Sequence, residues 1–261
     1  MITIDINPVA FTIGSVGVRW YGIMVALAVL VLILWTLRAV SKTDIAYDDI
    51  FTAALVGIPA GFVVSRLLHV IDLWQYYAQH PEQIFGLAAL QGLTIWGAVL
   101  GAALGVWIYS RFRHFPFGQL ADLAAPGVLL AQAIGRVGCT LNGCCYGTPT
   151  DLPWGVIYTN PDSYAPIGIE VHPTQVYEII CLLIIFAVLL KLRGRLQPGG
   201  SIFLVYLSLY SLWRFGIGFL REGTGFALGL QESQGIALLV LAIAVPILVM
   251  RGRWVRGKAR T

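Results

Sequence analysis

Seven long apolar stretches, each with few or no charged side chains, recur along the chain. Each approaches the roughly 20 residues that an α-helix needs to cross a hydrocarbon core about 30 Å thick. The pattern predicts an all-α polytopic integral membrane protein with about seven transmembrane helices. Two stretches are less regular, because the fourth contains Asp122 and the sixth contains Arg214. The predicted spans are residues 22–37, 51–70, 83–110, 115–135, 174–190, 201–220 and 233–250.

The connections between these stretches predict a single membrane-embedded domain over residues 1–261. One polar connection, residues 144–172, contains several Pro, Asn, Asp and Gly turn signals, which favour a small looped cap outside the membrane. Residues 251–261 form a short basic tail. The sequence shows no convincing internal repeat, which disfavours a transporter built from inverted repeats.

Composition agrees with a membrane protein. Hydrophobic residues make up 58% of the chain and charged residues 11%, whereas an ordinary soluble domain carries roughly 25% charged residues. This balance excludes a soluble globular domain. It also excludes a disordered chain, a coiled coil and a small secreted domain held together by disulfides.

Positive charge is concentrated after the first, third, fifth and seventh stretches. Twelve of the 17 Lys and Arg residues lie there, and cytoplasmic loops are enriched in such residues. An odd number of spans puts all four clusters on one side of the bilayer, so we expect an external N-terminus and a cytoplasmic C-terminus. The net charge of +4 then reflects topology and requires no nucleic-acid partner.

Five arginines remain at or within the outer half of the predicted spans. A cation in hydrocarbon costs roughly 2.5–3.5 kcal/mol on insertion scales, so such arginines usually face a bundle interior and have a partner. They could pair with carboxylates such as Asp72, Glu178 and Glu222, or extend to the interface. Alternatively, they could bind an anion such as a phospholipid phosphate through the guanidinium fork. The five are Arg19, Arg66, Arg136, Arg214 and Arg221.

The segment 135–147, GRVGCTLNGCCYG, combines Arg136 and Asn142 with four glycines. Four glycines within thirteen residues predict a broken helix, whose backbone would approach a ligand and line a polar cavity. A close contact between helices would explain the glycines, but it would not explain the polar side chains among them.

The segment 172–178, HPTQVYE, begins the fifth span, where Pro173 suits the first turn of a helix. A helix cap would account for its first residues. Glu178 directly precedes an apolar run, and a carboxylate there is costly without a partner. We therefore expect Glu178 to pair with an arginine. Arg221 and Glu222 after the sixth span could form a local ion pair.

The four cysteines do not predict a metal site. Cys139, Cys144 and Cys145 lack the paired C-x-x-C spacing of structural zinc sites, and adjacent cysteines rarely bond to each other. On the outer side of a membrane, a disulfide from Cys139 to Cys144 or Cys145 is an alternative that the sequence does not exclude. Apolar packing is the default for all four, including Cys181. We expect no metal and no cofactor.

Together these residues resemble the prolipoprotein diacylglyceryl transferase family over most of the chain. The resemblance implies an enzyme of the bacterial cytoplasmic (inner) membrane that transfers the diacylglyceryl group of phosphatidylglycerol to the lipobox cysteine of a preprolipoprotein. This reaction would form a thioether and release glycerol phosphate. The similarity lies in residues 19–22 (RWYG), Gly97, Gly101, residues 135–147, residues 172–178, Arg214, Phe215, Arg221 and Glu222.

The resemblance also implies site residues. Arg136 would bind the lipid headgroup, and Arg221 would be a second essential cation that stabilises the departing phosphate. From its position near the outer surface at a helix start, and not from the resemblance, His172 is our hypothetical base. Tyr21 and Glu178 are further catalytic candidates. The substrate-binding candidates are Arg136, Gly138, Asn142, Gly147 and Glu222.

The chain departs from the family pattern at three positions. Trp96 stands where many members have His or Tyr before the glycine of the third span, so no histidine base is available there. Cys139 replaces an Asn and Cys144 an acidic residue of many members. Those two positions lose their polar roles.

Two other functions stay open from the sequence. A transporter or lipid-binding membrane protein could use the same arginines to hold an anion that moves without reacting. A structural membrane component could use them in internal salt bridges.

Overall fold

A computed structural model describes residues 2–14, 16–41, 43–84, 95–114, 116–221, 225–227 and 229–255. The chain is mostly helical, and six helices within these ranges are long and apolar enough to cross a membrane. This confirms the predicted class, a polytopic helical membrane protein. The helices are α1 (Trp20–Val40), α2 (Tyr47–Asp72), α3 (Trp74–Tyr77), α4 (Ile95–Arg113), α5 (Phe117–Asn142), α6 (Thr174–Leu192), α7 (Ser201–Ile217) and α8 (Glu232–Arg251).

Short strands accompany the helices, and the all-α prediction did not include them. β1 pairs in parallel with β4, and β4 pairs antiparallel with β5, so the first residues of the chain join the segment 144–172 in one small sheet. The strands are β1 (Ile2–Ile4), β2 (Val9–Ile13), β3 (Val16–Arg19), β4 (Val156–Tyr158), β5 (Glu170–Val171), β6 (Leu196–Gln197), β7 (Gly225–Ala227), β8 (Leu230–Gln231) and β9 (Arg253–Trp254).

The chain forms two compact units. One comprises Met1–Thr36 and Gly118–Thr261, and the other comprises Leu37–Phe117. The expectation of one domain over residues 1–261 stays a prediction.

The first unit has its core between α5, α6 and α7. α1 packs against this core, since the Trp35 and Phe186 rings meet edge to face at 5.4 Å and Trp35 Nε1 donates to the Leu123 carbonyl at 3.1 Å. The apolar side chains that fill this core remove their surface from lipid and water alike. Its buried members are Ala125, Leu129, Ala133, Leu182, Ile185, Leu189, Ile202 and Tyr206.

Asp122, the charged residue within the fourth predicted span, has a structural role. Its two carboxylate oxygens accept hydrogen bonds from the backbone N–H groups of Gly200 and Phe203, each at 2.8 Å. These groups belong to the first turn of α7, where donors lack helical partners and a negative charge is favoured. The carboxylate therefore caps a neighbouring helix.

In the second unit, α2 and α4 approach closely through small residues. A Cβ on Gly61 would lie 2.7 Å from the Ala98 carbonyl oxygen, and one on Gly101 would lie 2.5 Å from that of Ala60. Small residues that let two helix backbones touch are a common basis of packing in membranes. Gly101, one of the glycines in the third predicted span, thus has a packing role.

The bounds of two predicted spans change most. α5 continues to Asn142, so Gly135 and Gly138 lie within the helix and the predicted break at residue 135 is wrong. A Cβ on Gly138 would lie 2.9 Å from Met24 Cβ, so this glycine permits a close contact with α1. α4 covers the second half of the third predicted span, and residues 85–94 lie outside the described ranges.

Candidate active site

A buried carboxylate joins three helices at the candidate site. Glu178 on α6 is 1% exposed. Its Oε1 lies 2.9 Å from Nη2 of Arg136 on α5 and accepts a hydrogen bond from the Tyr210 hydroxyl of α7 at 3.1 Å. Its Oε2 lies 3.7 Å from Nη1 of Arg221, which follows α7. The expected pairing of Glu178 with an arginine is thus observed, and it involves two.

Positive charge exceeds negative charge in this cluster. Arg214 lies within electrostatic range of Glu178, Arg136 and Arg221. Its buried Nη1 atom has no hydrogen-bond partner among the described residues. Three guanidinium groups therefore face one carboxylate in the described part of the chain. A buried group with surplus cations is suited to bind an anion, because the anion supplies the missing acceptors.

Gly147 positions Arg221 against the start of α6. The two residues form an antiparallel β-bridge, and the Thr148 N–H donates to the Leu220 carbonyl at 2.9 Å. A Cβ on Gly147 would lie 2.5 Å from the Leu220 carbonyl oxygen and 2.7 Å from His172 Cβ. A glycine is thus required for this close approach.

The first turn of α6 holds the loop that follows α5. Thr174 Oγ1 donates to the Cys145 carbonyl at 2.7 Å, and Gln175 Nε2 donates to the Cys144 carbonyl at 2.8 Å. Both side chains are 1% exposed. Pro173 lies at the N-cap and α6 begins one residue later. The HPTQ segment therefore ties the loop to the helix that carries Glu178.

The other two outlying arginines have structural contacts. Arg19 Nη1 donates to Asn142 Oδ1 at 3.0 Å, and its guanidinium carbon lies 4.5 Å from the centre of the Tyr164 ring. Asn142 is thereby engaged with Arg19. In the second unit, Arg66 Nε donates to the Ile84 carbonyl at 3.2 Å. Of the five arginines, three converge on Glu178.

The remaining sequence candidates occupy different places. Tyr21 lies within electrostatic range of Arg136 and the Cys139, Cys144 and Cys145 thiols, so it borders the cluster. His172 lies beside Gly147, whose N–H donates to the His172 carbonyl at 2.9 Å, and its ring Nδ1 lies 3.4 Å from the Tyr177 hydroxyl. Glu222 and the Trp96 side chain lie outside the described part of the structure.

Sequence reasoning missed two features of the site. Tyr210 lies within an apolar span, and only its spacing from Arg214 on one helix face could have indicated it.

The second feature is the convergence of three cysteines: the Sγ atoms of Cys139, Cys144 and Cys145 all lie within 4.8 Å of one another. Hydrogen bonds with the Cys139 and Cys144 thiols, together with Arg221 and Arg136, lower the pKa of Cys145. All four cysteines are free thiols, so a disulfide from Cys139 to Cys144 or Cys145 is not formed.

These features define a class of protein: a polytopic integral membrane protein with a buried arginine-rich site among its helices. The family model described as "Prolipoprotein diacylglyceryl transferase" matches residues 8–250. The chain belongs to this family.

Similar proteins carry the name phosphatidylglycerol--prolipoprotein diacylglyceryl transferase. The one from Dehalococcoides mccartyi is 52% identical over 97% of this chain and 96% of its own length. The one from Clostridioides difficile is 36% identical over 89% of this chain and 90% of its own length. The one from a Nostoc species is 34% identical over 92% of this chain and 87% of its own length.

Proposed function

We propose that this chain is a phosphatidylglycerol--prolipoprotein diacylglyceryl transferase of a bacterial cytoplasmic membrane. The observation that carries the proposal is the buried cluster in which Arg136 and Arg221 share Glu178. Both arginines occur in the segments through which the chain resembles the family. The surplus positive charge suits the phosphate of an anionic phospholipid, and the names of the relatives supply both substrates.

In the proposed reaction, the lipobox cysteine of a prolipoprotein attacks the glyceryl carbon that is bonded to the phosphate oxygen. A sulfur–carbon bond forms and the carbon–oxygen bond breaks, so the electron pair of that bond leaves with glycerol phosphate. The thiol proton passes to a base. The phosphate gains negative charge as it departs, so the reaction needs cations that are already in place.

Glu178 contributes by holding Arg136 and Arg221 in position before the lipid binds. A carboxylate that contacts both guanidinium groups reduces their freedom and offsets part of the cost of burying them. Donors fixed in advance stabilise developing charge without reorganisation during the reaction. Because one carboxylate does not neutralise three arginines, the cluster retains attraction for phosphate.

His172 is the proposed base, and its contacts indicate how it could act. The Tyr177 hydroxyl accepts a hydrogen bond from Trp154 Nε1 at 2.7 Å and lies 3.4 Å from His172 Nδ1. A phenol oxygen accepts two hydrogen bonds. If Nδ1–H is the second donor, the proton is absent from Nε2, which is then free to take the thiol proton.

The proposal includes an orientation, with the N-terminus outside the cell and the C-terminus in the cytoplasm. The distribution of Lys and Arg supports it. A reporter enzyme fused after residue 261 should lie in the cytoplasm and show its activity there. Activity of that reporter on the outer side of the membrane would contradict the orientation, independently of the chemistry.

The decisive experiment uses the full chain in lipid nanodiscs with phosphatidylglycerol and a peptide that contains a lipobox cysteine. Mass spectrometry should show the peptide heavier by one diacylglyceryl group, with an equal amount of glycerol phosphate released. A peptide with serine in place of that cysteine should stay unmodified. Unchanged wild-type peptide would contradict the proposal, and anion flux without lipid consumption would favour a transporter.

A further inference from the structure

Three thiols converge beside the arginine–glutamate cluster. We call Cys139, Cys144 and Cys145 the thiol cluster; their Sγ atoms all lie within 4.8 Å of one another. A metal–sulfur distance of about 2.3 Å puts three coordinating sulfurs roughly 3.8–4.0 Å apart. Small side-chain rotations would therefore bring these sulfurs around one ion.

The backbone that carries these thiols is anchored on both sides. The Cys144 N–H donates to the Cys139 carbonyl at 3.1 Å, which closes the turn after α5. Gly143 and Cys145 have φ values of 69° and 63° in that turn. On the other side, Thr174 and Gln175 donate to the carbonyls of Cys145 and Cys144. These contacts use backbone atoms of the cysteines. The Cys144 thiol also donates to the Cys139 carbonyl at 3.8 Å, and that contact ends when the thiol loses its proton to bind a metal.

Two N–H donors also point at the sulfur atoms. Arg136 Nη1 lies 3.8 Å from Cys139 Sγ, and Asn142 Nδ2 lies 3.8 Å from Cys144 Sγ. Hydrogen bonds from surrounding groups orient ligands and tune a bound metal. Three thiolates and a divalent ion would carry one net negative charge, and Arg136 and Arg221 lie within electrostatic range of Cys145 to balance it.

We propose that the thiol cluster binds one thiophilic metal ion, of which Zn²⁺ is the representative, and leaves its fourth coordination position open. Thiolate ligands favour such ions over Mg²⁺ or Ca²⁺, which take oxygen ligands. Three protein ligands with one open position differ from a closed structural zinc site. The proposal departs from the expectation of no metal, because that expectation rested on spacing along the chain.

Metal binding by the full chain in detergent tests the proposal. The protein is purified without oxygen, treated with a chelator, incubated with excess Zn²⁺ and freed of unbound ion by gel filtration. Elemental analysis should then find about one Zn²⁺ per chain. Co²⁺ in place of Zn²⁺ should produce sulfur-to-cobalt charge-transfer absorption, which identifies thiolate ligands. The variant with Cys139, Cys144 and Cys145 all changed to Ser should lose at least tenfold in bound Zn²⁺.

Cys181→Ser is the matched control, because it removes a thiol outside the cluster and should leave Zn²⁺ binding unchanged. The single variant Cys144→Ser should still weaken binding, and it serves if the triple variant does not fold. Retention of Zn²⁺ by the serine variants would overturn the proposal. Failure of the wild-type protein to bind stoichiometric Zn²⁺ would also overturn it. The same holds if metal-free protein kept from oxygen has two free thiols instead of four, because this would indicate a disulfide.

Discussion

Arg136 and Glu178 form a buried ion pair, with Nη2 2.9 Å from Oε1 and side chains that are 14% and 1% exposed. The pair joins α5 to α6, and the contact of Glu178 with Arg221 extends it to the segment after α7. Removing one member of a buried pair leaves the other charge without compensation. The stability of the fold and the geometry of the site therefore depend on the same three side chains.

Glu178→Gln tests the role of this carboxylate. The amide keeps an oxygen that can accept from Tyr210, but Arg136 and Arg221 lose their counter-charge. We expect a loss of about 3–5 kcal/mol in unfolding free energy and a large loss of transfer activity. Thermal unfolding in detergent measures the first and the peptide assay the second. Glu82→Gln, at an exposed carboxylate, is the control; equal melting temperatures for both variants would contradict this role.

Arg136→Lys separates charge from geometry. Lysine keeps the positive charge but lacks the planar fork that binds a carboxylate and a phosphate together. If Arg136 stabilises the departing phosphate, we expect a decrease in kcat of roughly 10²–10³, as for loss of one donor to a developing anion. Arg113→Lys, at an exposed arginine that pairs with Asp49, should retain activity. Wild-type turnover by Arg136→Lys would exclude the headgroup role.

Gly147→Ala tests the contact that positions Arg221. The added methyl group would lie 2.5 Å from the Leu220 carbonyl oxygen and 2.7 Å from Thr174 Cγ2, so the backbone must move. We expect a loss of about 1–3 kcal/mol in stability together with lower activity. Gly135→Ala is the control, since nothing lies within 4 Å of its Cβ position and alanine favours a helix. Similar behaviour of the two variants would refute the steric argument.

Tyr158 provides a prediction about alkaline pH. Burial in the small sheet raises its pKa from 10.0 to about 12, so the folded protein holds the phenol proton more tightly than the unfolded chain. This pKa shift stabilises the folded protein by up to about 2–3 kcal/mol. The stabilisation is fully present below about pH 10 and is lost as the pH rises to about 12. In Tyr158→Phe, the melting temperature should fall less between pH 9 and 11 than in wild type. An equal fall would contradict the prediction.

The spans were predictable from sequence where hydrophobicity alone determines both the residue pattern and the extent of the helix. α6 and α8 each contain a long apolar run, and their bounds agree with the predicted spans within two residues. α5 extends beyond its predicted end, and Gly138 in this extension lies against Met24 of α1. That contact depends on the position of α1, which the local sequence does not encode.

The site was predictable only in part for a similar reason. Scarcity of charge in the spans indicated that Glu178 needs an arginine, and the structure contains that pair. The thiol cluster depends on positive φ angles at Gly143 and Cys145 and on hydrogen bonds from α6. A spacing rule could not predict it, because these causes are tertiary.

His172→Gln tests the base. A thiol with pKa near 8.5 ionises increasingly as pH rises, so it needs a base less at alkaline pH. We therefore expect a strong loss of activity near neutral pH that becomes smaller toward pH 9. Tyr177→Phe should cause a weaker loss with the same pH trend, because it removes the group that orients the imidazole. The peptide assay across this pH range measures both variants.

His80→Gln is the control for that experiment. Its ring Nδ1 lies 3.1 Å from the Tyr76 carbonyl in the second unit, without a described contact to the arginine cluster. Its pH profile should therefore match that of wild type. If His172→Gln also follows the wild-type profile, His172 is not the base. The proton acceptor must then be sought among Tyr21 and Glu178, and Tyr21→Phe should show the pH-dependent loss instead.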